Sequence, residues 1–148
     1  MQIDHDTLVL VVDGRKMLMF RNEGDARYPN LRGEKVEEIE NPATREQATH
    51  PAGRSATPAV MGSHQDSYAH TDFHRQEEDR FAADAAALLK KRALADDFER
   101  LIVVAPPQML GEMRKHYHKA VEQRLVGEIA KDLTDHPVPE IEKIVSAS

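Results

Sequence analysis

Apolar side chains in this chain form two short unbroken runs and several periodic stretches. Thr7 to Val12 reads TLVLVV and Leu101 to Ala105 reads LIVVA. Strands that are apolar on both faces belong in the middle of a sheet covered by helices. Asp13-Gly14 separates the first run from Arg15 to Phe20. Asp-Gly between apolar runs predicts a β-hairpin, since both residues tolerate the positive φ of a type I′ turn. In the second strand Met17, Met19 and Arg21 fall on one face and Leu18 and Phe20 on the other. Asn22 to Asn30 is a turn-rich connector. Leu31 to Glu40 alternates poorly and is highly charged, with Leu31, Val36 and Ile39 as its apolar positions, which predicts an edge strand.

Helical periodicity begins later. Over Arg75 to Ala95, Phe81, Ala85, Leu88 and Leu89 share a stripe. Glu77, Glu78 and Asp79 stand early and Lys90, Lys91 and Arg92 late, as the helix dipole favours. Thr71 or Asp72 is the expected N-cap. Pro106 and Pro107 stop the second apolar strand, and Pro107 opens a helix over about Gln108 to Glu122. Leu110, Met113, Tyr117 and Val121 are its inward stripe, and Gly111 predicts close packing on the sheet. Arg124 to Leu133 is ambiguous: Leu125, Ile129 and Leu133 are spaced by four, which by periodicity alone favours helix. Thr134 to Pro137 is a turn, and Val138 to Ala147 a terminal helix with Ile141, Ile144 and Val145 inward. A hairpin, an edge strand, and a helix leading to a second apolar strand predict one α/β domain with a mixed sheet and packed helices.

Asn41 to His74 breaks the pattern. It holds Pro42, Pro51, Pro58, Gly53 and Gly62, and its sizeable apolar side chains are Val60, Met61, Tyr68 and Phe73. So few contacts poorly offset the entropy of ordering, which predicts a long flexible surface loop at about 41–74.

Composition narrows the function classes. A chain of 148 residues, 40% apolar, suits one self-sufficient domain over 1–148. With no Cys, disulfides and thiolate metal sites are excluded. A net charge of −6 opposes wholesale attraction to nucleic acid or anionic lipid. Leu8 to Val12 is too short for a signal or a membrane span, so the expected location is cytoplasmic, without membrane insertion.

Candidate chemistry is sparse. Asp13 ends the first strand, and Asp132 or Asp135 would be its partners in a two-metal hydrolase; a turn residue explains Asp13 equally well. His64, His70 and His74, with His50, are the candidate zinc ligands, but their spacing matches no closed structural site. Arg114, Lys115, His116, His118, Lys119 and Arg124 form one basic cluster and Lys90, Lys91 and Arg92 another. Either could contact RNA or be a solvated helix end. No phosphate loop, dinucleotide fingerprint, nucleophile elbow or zinc-protease motif is present, so no cofactor, metal or catalytic residue is expected.

LVLVVDGRKMLMF, Gly53-Arg54, HRQEEDRFAADAAALL, LIVVAPPQMLGEMR and EIAKDLTDHP together resemble the bacterial host-attachment protein family over Thr7 to Val145. The pattern is also distantly similar to the middle domain of archaeal and eukaryotic class-one peptide-chain release factors. That resemblance implies a ribonuclease-H-like sheet and makes Arg124 to Leu133 a strand, overriding its periodicity. In those factors the long loop carries Gly-Gly-Gln, which promotes peptidyl-tRNA hydrolysis. Here the corresponding stretch reads His50-Pro51-Ala52-Gly53-Arg54-Ser55, without a Gly-Gly pair or a Gln. The family resemblance implies a non-enzymatic accessory protein that binds a macromolecular partner. A translation-associated factor contacting the ribosome or RNA is the second reading, and a metal-dependent hydrolase the third. Gly53, Arg54, His74, Arg75, Arg114 and Lys115 are the expected partner-binding residues.

Overall fold

The computed structural model describes residues 1–34 and 63–148, with side chains described outside 63–74. A five-stranded mixed sheet carries helices on both faces. β1 (Leu8–Val12) is its middle strand, in the order β3-β2-β1-β4-β5. β2 (Met17–Asn22) and β3 (Leu31–Gly33) continue antiparallel to one side. β4 (Leu101–Ala105) and β5 (Leu125–Ala130) continue parallel to the other. β1 and β4, the two unbroken apolar runs, are buried at every position. β3 is an edge strand as expected, while Val36 and Ile39 lie outside the described residues.

Strand alternation builds two cores. Leu8, Leu10, Val12, Met17, Met19, Leu101 and Val103 face helices α1 (Ser63–Leu94), α2 (Pro107–Arg114) and α3 (Lys119–Glu122). There they meet Phe81, Ala85, Leu89, Met113 and Val121. Val9, Val11, Phe20, Ile102, Val104 and Ile129 face α4 (Val138–Ala147) through Ile141 and Val145. Ile144 packs at the margin of that second core. No helix among the described residues is long and apolar enough to cross a membrane.

Four local expectations need correction. α1 begins at Ser63, so residues 63–74 of the expected 41–74 loop are helical, and Thr71 and Asp72 lie inside the helix rather than capping it. The remainder, 41–62, lies outside the described residues. The hairpin forms with Val12 opposite Met17, but not through a type I′ turn. Among described residues the non-glycines at positive φ are Asp6 and Asp96, so Asp13 is not left-handed. Its carboxylate shapes the turn instead, accepting the amide hydrogens of Arg15 at 2.6 Å and Lys16 at 2.8 Å. The expected single helix over 108–122 is two short ones. The chain breaks after Arg114, and the His118 ring Nδ1 accepts the Ala120 amide at 3.0 Å to start α3. Leu110, Met113 and Val121 still point inward. Gly111 does not mark close packing, since a Cβ there would meet nothing within 4 Å.

Arg124 to Leu133 is a strand in its first part, against its periodicity. The ladder shifts register between Leu101 and Ile102, so that Leu125 pairs with Leu101 but Gly127 with Ile102. Val126 is therefore the extra residue of a bulge. The bulge places Leu125 against one core and Ile129 against the other.

Where α1 ends, Asp96 takes a left-handed φ of 56°. The Asp97 amide reaches the Arg92 carbonyl at 3.0 Å and the Asp96 amide the Ala93 carbonyl at 3.0 Å. That pair of bonds is a Schellman closure, with Asp where Gly is usual.

Candidate functional site

The parallel strands β1, β4 and β5 all end on one edge of the sheet. From β1 the chain turns toward β2, and from β4 toward β5, so the connections diverge between β1 and β4. In open α/β sheets ligands bind outside the carboxyl ends of the strands at such a point. Asp13 follows β1, Pro106 follows β4, and Asp132 stands two residues past β5.

Sequence reading named Asp132 or Asp135 as the partner of Asp13, and the fold brings Asp13 and Asp132 together through Thr134. The Thr134 hydroxyl lies 2.7 Å from Asp13 Oδ2 and 3.0 Å from Asp132 Oδ1. Thr134 is 3% exposed. One hydroxyl hydrogen thus sits between two carboxylates. Lys16 Nζ holds Asp135 Oδ1 at 3.2 Å, and Glu78 of α1 lies against Gly14 of the turn. Among the described residues no group of three or more His, Asp or Glu is placed to hold a metal. The arrangement latches the β1–β2 hairpin to the loop after β5. Thr134→Val should therefore cost about 1–3 kcal/mol, the range for removing one partner of a buried hydrogen bond, read as a lower urea midpoint with unchanged slope.

The basic cluster is dispersed among ion pairs. Arg114 Nε lies 3.1 Å from Glu128 Oε1, and Lys115 Nζ 3.2 Å from Glu112 Oε1. His116 Nε2 lies 3.1 Å from Asp79 Oδ1 on α1. Hydrogen bonds with His116 and then Glu112 hold the Asp79 carboxyl below its usual range. Arg124 bonds the carbonyls of Phe98 and Ala120, each at 2.9 Å, and the Asp96 carboxylate at 3.2 Å. Burial pushes the Tyr117 phenol well up, and the neighbouring Glu128 carboxylate pushes it further. Tyr117 belongs to the core margin rather than to a stacking surface.

The other expected site residues do not converge on this edge as a described group. Arg75 is exposed on α1. His74 lies on α1 with His64 and His70, and their side chains are outside the described set. Gly53, Arg54 and His50 lie outside the described residues.

At the opposite, amino edge, a cleft of about 340 Å³ is lined by Asp6, Arg21, Asp97, Phe98 and Arg100 among others. Beside it Arg21 and Arg92 grip Glu34 and Asp97 in a four-membered ionic box. Arg21 Nε meets Glu34 Oε1 at 2.7 Å, and Arg92 Nη2 meets Glu34 Oε2 at 2.5 Å. Arg92 Nε donates to Asp97 Oδ2 at 2.6 Å. Sequence reading missed this box, whose members come from four segments.

No curated protein matches this chain. A family model does: bacterial archaeo-eukaryotic release factor family 12, over residues 6–145. Its description carries the release-factor relationship and does not speak of host attachment. The mixed sheet with helices on both faces agrees with that relationship. With the match spanning nearly the whole domain, the chain belongs to the bacterial archaeo-eukaryotic release factor family 12.

Proposed function

We propose that the protein is a binding factor of the translation apparatus that engages the ribosome or RNA without hydrolysing peptidyl-tRNA. The observation that carries this reading is a release-factor family match over residues 6–145 in a chain whose seven glycines are never adjacent. The Gly-Gly-Gln of the archaeal and eukaryotic release factors therefore has no counterpart anywhere in the sequence. What remains is a release-factor-like scaffold, on which long connections commonly carry binding. Gly53 and Arg54 lie between β3 and α1 in sequence, outside the described residues, and His74 and Arg75 lie on α1.

Arg114 and Lys115 support the same reading more weakly. Their ion pairs are at the surface, where such pairs contribute about 0–1 kcal/mol. A phosphate could displace Glu128 or Glu112 at little cost. With a net charge of −6, contact with RNA must be local and should weaken steeply with salt.

Sucrose-gradient sedimentation with bacterial ribosomes tests the proposal. The protein should co-migrate at low salt and dissociate as salt rises. Arg54→Ala should weaken co-migration, and peptidyl-tRNA should stay intact. Protein remaining at the top of a low-salt gradient would overturn the ribosome reading, and release of peptide would overturn its non-catalytic part.

A further inference from the structure

Among the described residues Tyr28 is the most exposed large apolar side chain, at 70%, yet it sits on a tightly held loop. Residues 23–30 join β2 to β3 and are closed by the Glu23 amide on the Asn30 carbonyl at 2.9 Å. Asn22, wholly buried, fixes the inside of this loop. Its Oδ1 accepts the amides of Gly24 at 3.0 Å and Asn30 at 2.8 Å, and its Nδ2 faces the carbonyls of Ile3, Asp4 and Asp25. At the tip, Asp25 Oδ1 accepts the amides of Arg27 at 3.0 Å and Tyr28 at 2.7 Å. Gly24 is required by close approach: a Cβ there would lie 2.1 Å from the Tyr28 carbonyl oxygen.

The loop therefore has a fixed backbone and a displayed aromatic. Among the described residues the Arg27 guanidinium lies over the Tyr28 ring, 5.6 Å from its centroid. A Tyr ring backed by Arg presents a flat face and a positive charge together. That pairing suits a nucleobase with its phosphate, since every base has a face to stack and a phosphate nearby. A protein partner would want a contiguous apolar patch around an aromatic anchor. The other exposed large apolar residues among those described, Leu94 and Val126, lie on α1 and β5 rather than on this loop.

We infer that Tyr28, backed by Arg27, is a stacking platform for an unpaired base of single-stranded RNA. The inference rests on the proposed role in translation, but can be tested apart from it. The probe is a labelled oligoadenylate of about 12 nucleotides, within the site sizes of single-strand binders. Fluorescence anisotropy reads affinity, and the NMR shift of the Tyr28 ring reads stacking. Tyr28→Ala should weaken binding roughly 5- to 150-fold, the range for one base–aromatic stack. Tyr28→Phe should stay close to wild type and Arg27→Ala should fall between. Thermal melting of Tyr28→Ala should match wild type, because the side chain is exposed. Equal affinity for wild type and Tyr28→Ala, or no binding of the oligonucleotide by wild type, would overturn the platform. Ribosome sedimentation separates the two readings. If Tyr28→Ala binds the oligonucleotide as wild type does and still co-migrates with ribosomes, the platform falls and the translation role stands. If the oligonucleotide binds through Tyr28 but ribosomes do not bind, the platform stands and the ribosome reading falls.

Discussion

Asn22→Ala should destabilise the protein by about 3–5 kcal/mol. Total stabilities of single domains are only about 5–15 kcal/mol, so this is a large loss. The side chain is fully buried, and both ends of its amide are engaged. Truncation takes this partner from the buried Ile3 carbonyl and from the part-buried Gly24 and Asn30 amides, and a buried orphan costs about 1–3 kcal/mol, a part-buried one less. For a domain of this size the melting temperature should drop by about 6–20 °C, at roughly 2–4 °C per kcal/mol. Asn22→Asp distinguishes geometry from size. It keeps the acceptor for Gly24 and Asn30 but turns a second carboxylate oxygen toward the Ile3 and Asp4 carbonyls. It should therefore be at least as damaging as Ala near neutral pH. A melting temperature for Asn22→Asp within a degree of wild type would show that the amide nitrogen is not the anchor. Because the same side chain holds the loop that displays Tyr28, Asn22→Ala should also weaken any binding through that loop.

Nothing in the sequence singles Asn22 out, since its partners are carbonyls and amides of the backbone. What was legible was the sheet. Two unbroken apolar runs and an Asp-Gly junction gave the middle strands and the hairpin, because burial on both faces leaves a local signature. Two misreadings, and the helical spacing of Arg124 to Leu133 that the family resemblance overrode, share one cause: the signal in sequence is periodicity and the structure interrupts periodicity. A β-bulge at Val126 sets Leu125 and Ile129 on opposite faces, so their spacing by four imitates a helix. The helix expected over 108–122 breaks at residues without Gly or Pro, and the inward stripe runs on across the break. α1 continues back to Ser63 through a polar stretch with no apolar stripe to announce it. Extension from a helix already nucleated by core packing adds a bond per residue fixed and is far easier than starting a new one.

The candidate site was less legible than the fold for a related reason. Charge clusters along the chain look free because their partners are distant in sequence. Arg114 finds Glu128 on β5, His116 finds Asp79 on α1, and Arg124 finds Asp96 beyond the end of α1. The Asp13–Thr134 contact spans 121 residues. Sequence alone identified the three aspartates but not the buried hydroxyl that joins two of them.

The ionic box at the amino edge should give the protein an acid-sensitive stability that one substitution removes. Burial acts to raise the Glu34 pKa, but hydrogen bonds and attraction from Arg21 and Arg92 outweigh it and hold the carboxyl below its ordinary 4.5. A carboxyl whose pKa is lower folded than unfolded stabilises the fold fully above the unfolded value. That stabilisation is lost as pH falls through the folded value. Glu34→Gln keeps the shape and loses the charge, leaving Arg21 and Arg92 with Asp97 as their shared carboxylate. The side chain is only partly shielded from solvent, so the expected cost near pH 7 is about 1–3 kcal/mol, below that of breaking a fully buried pair. Urea denaturation across pH 7 to 3 reads the outcome. Wild type and Glu34→Gln should differ at pH 7 and draw together below pH 4.5, as wild-type Glu34 takes up its proton. A gap that stays constant across this range would mean that Glu34 acts through packing rather than through its charge. The box would then be a consequence of the fold and not one of its supports.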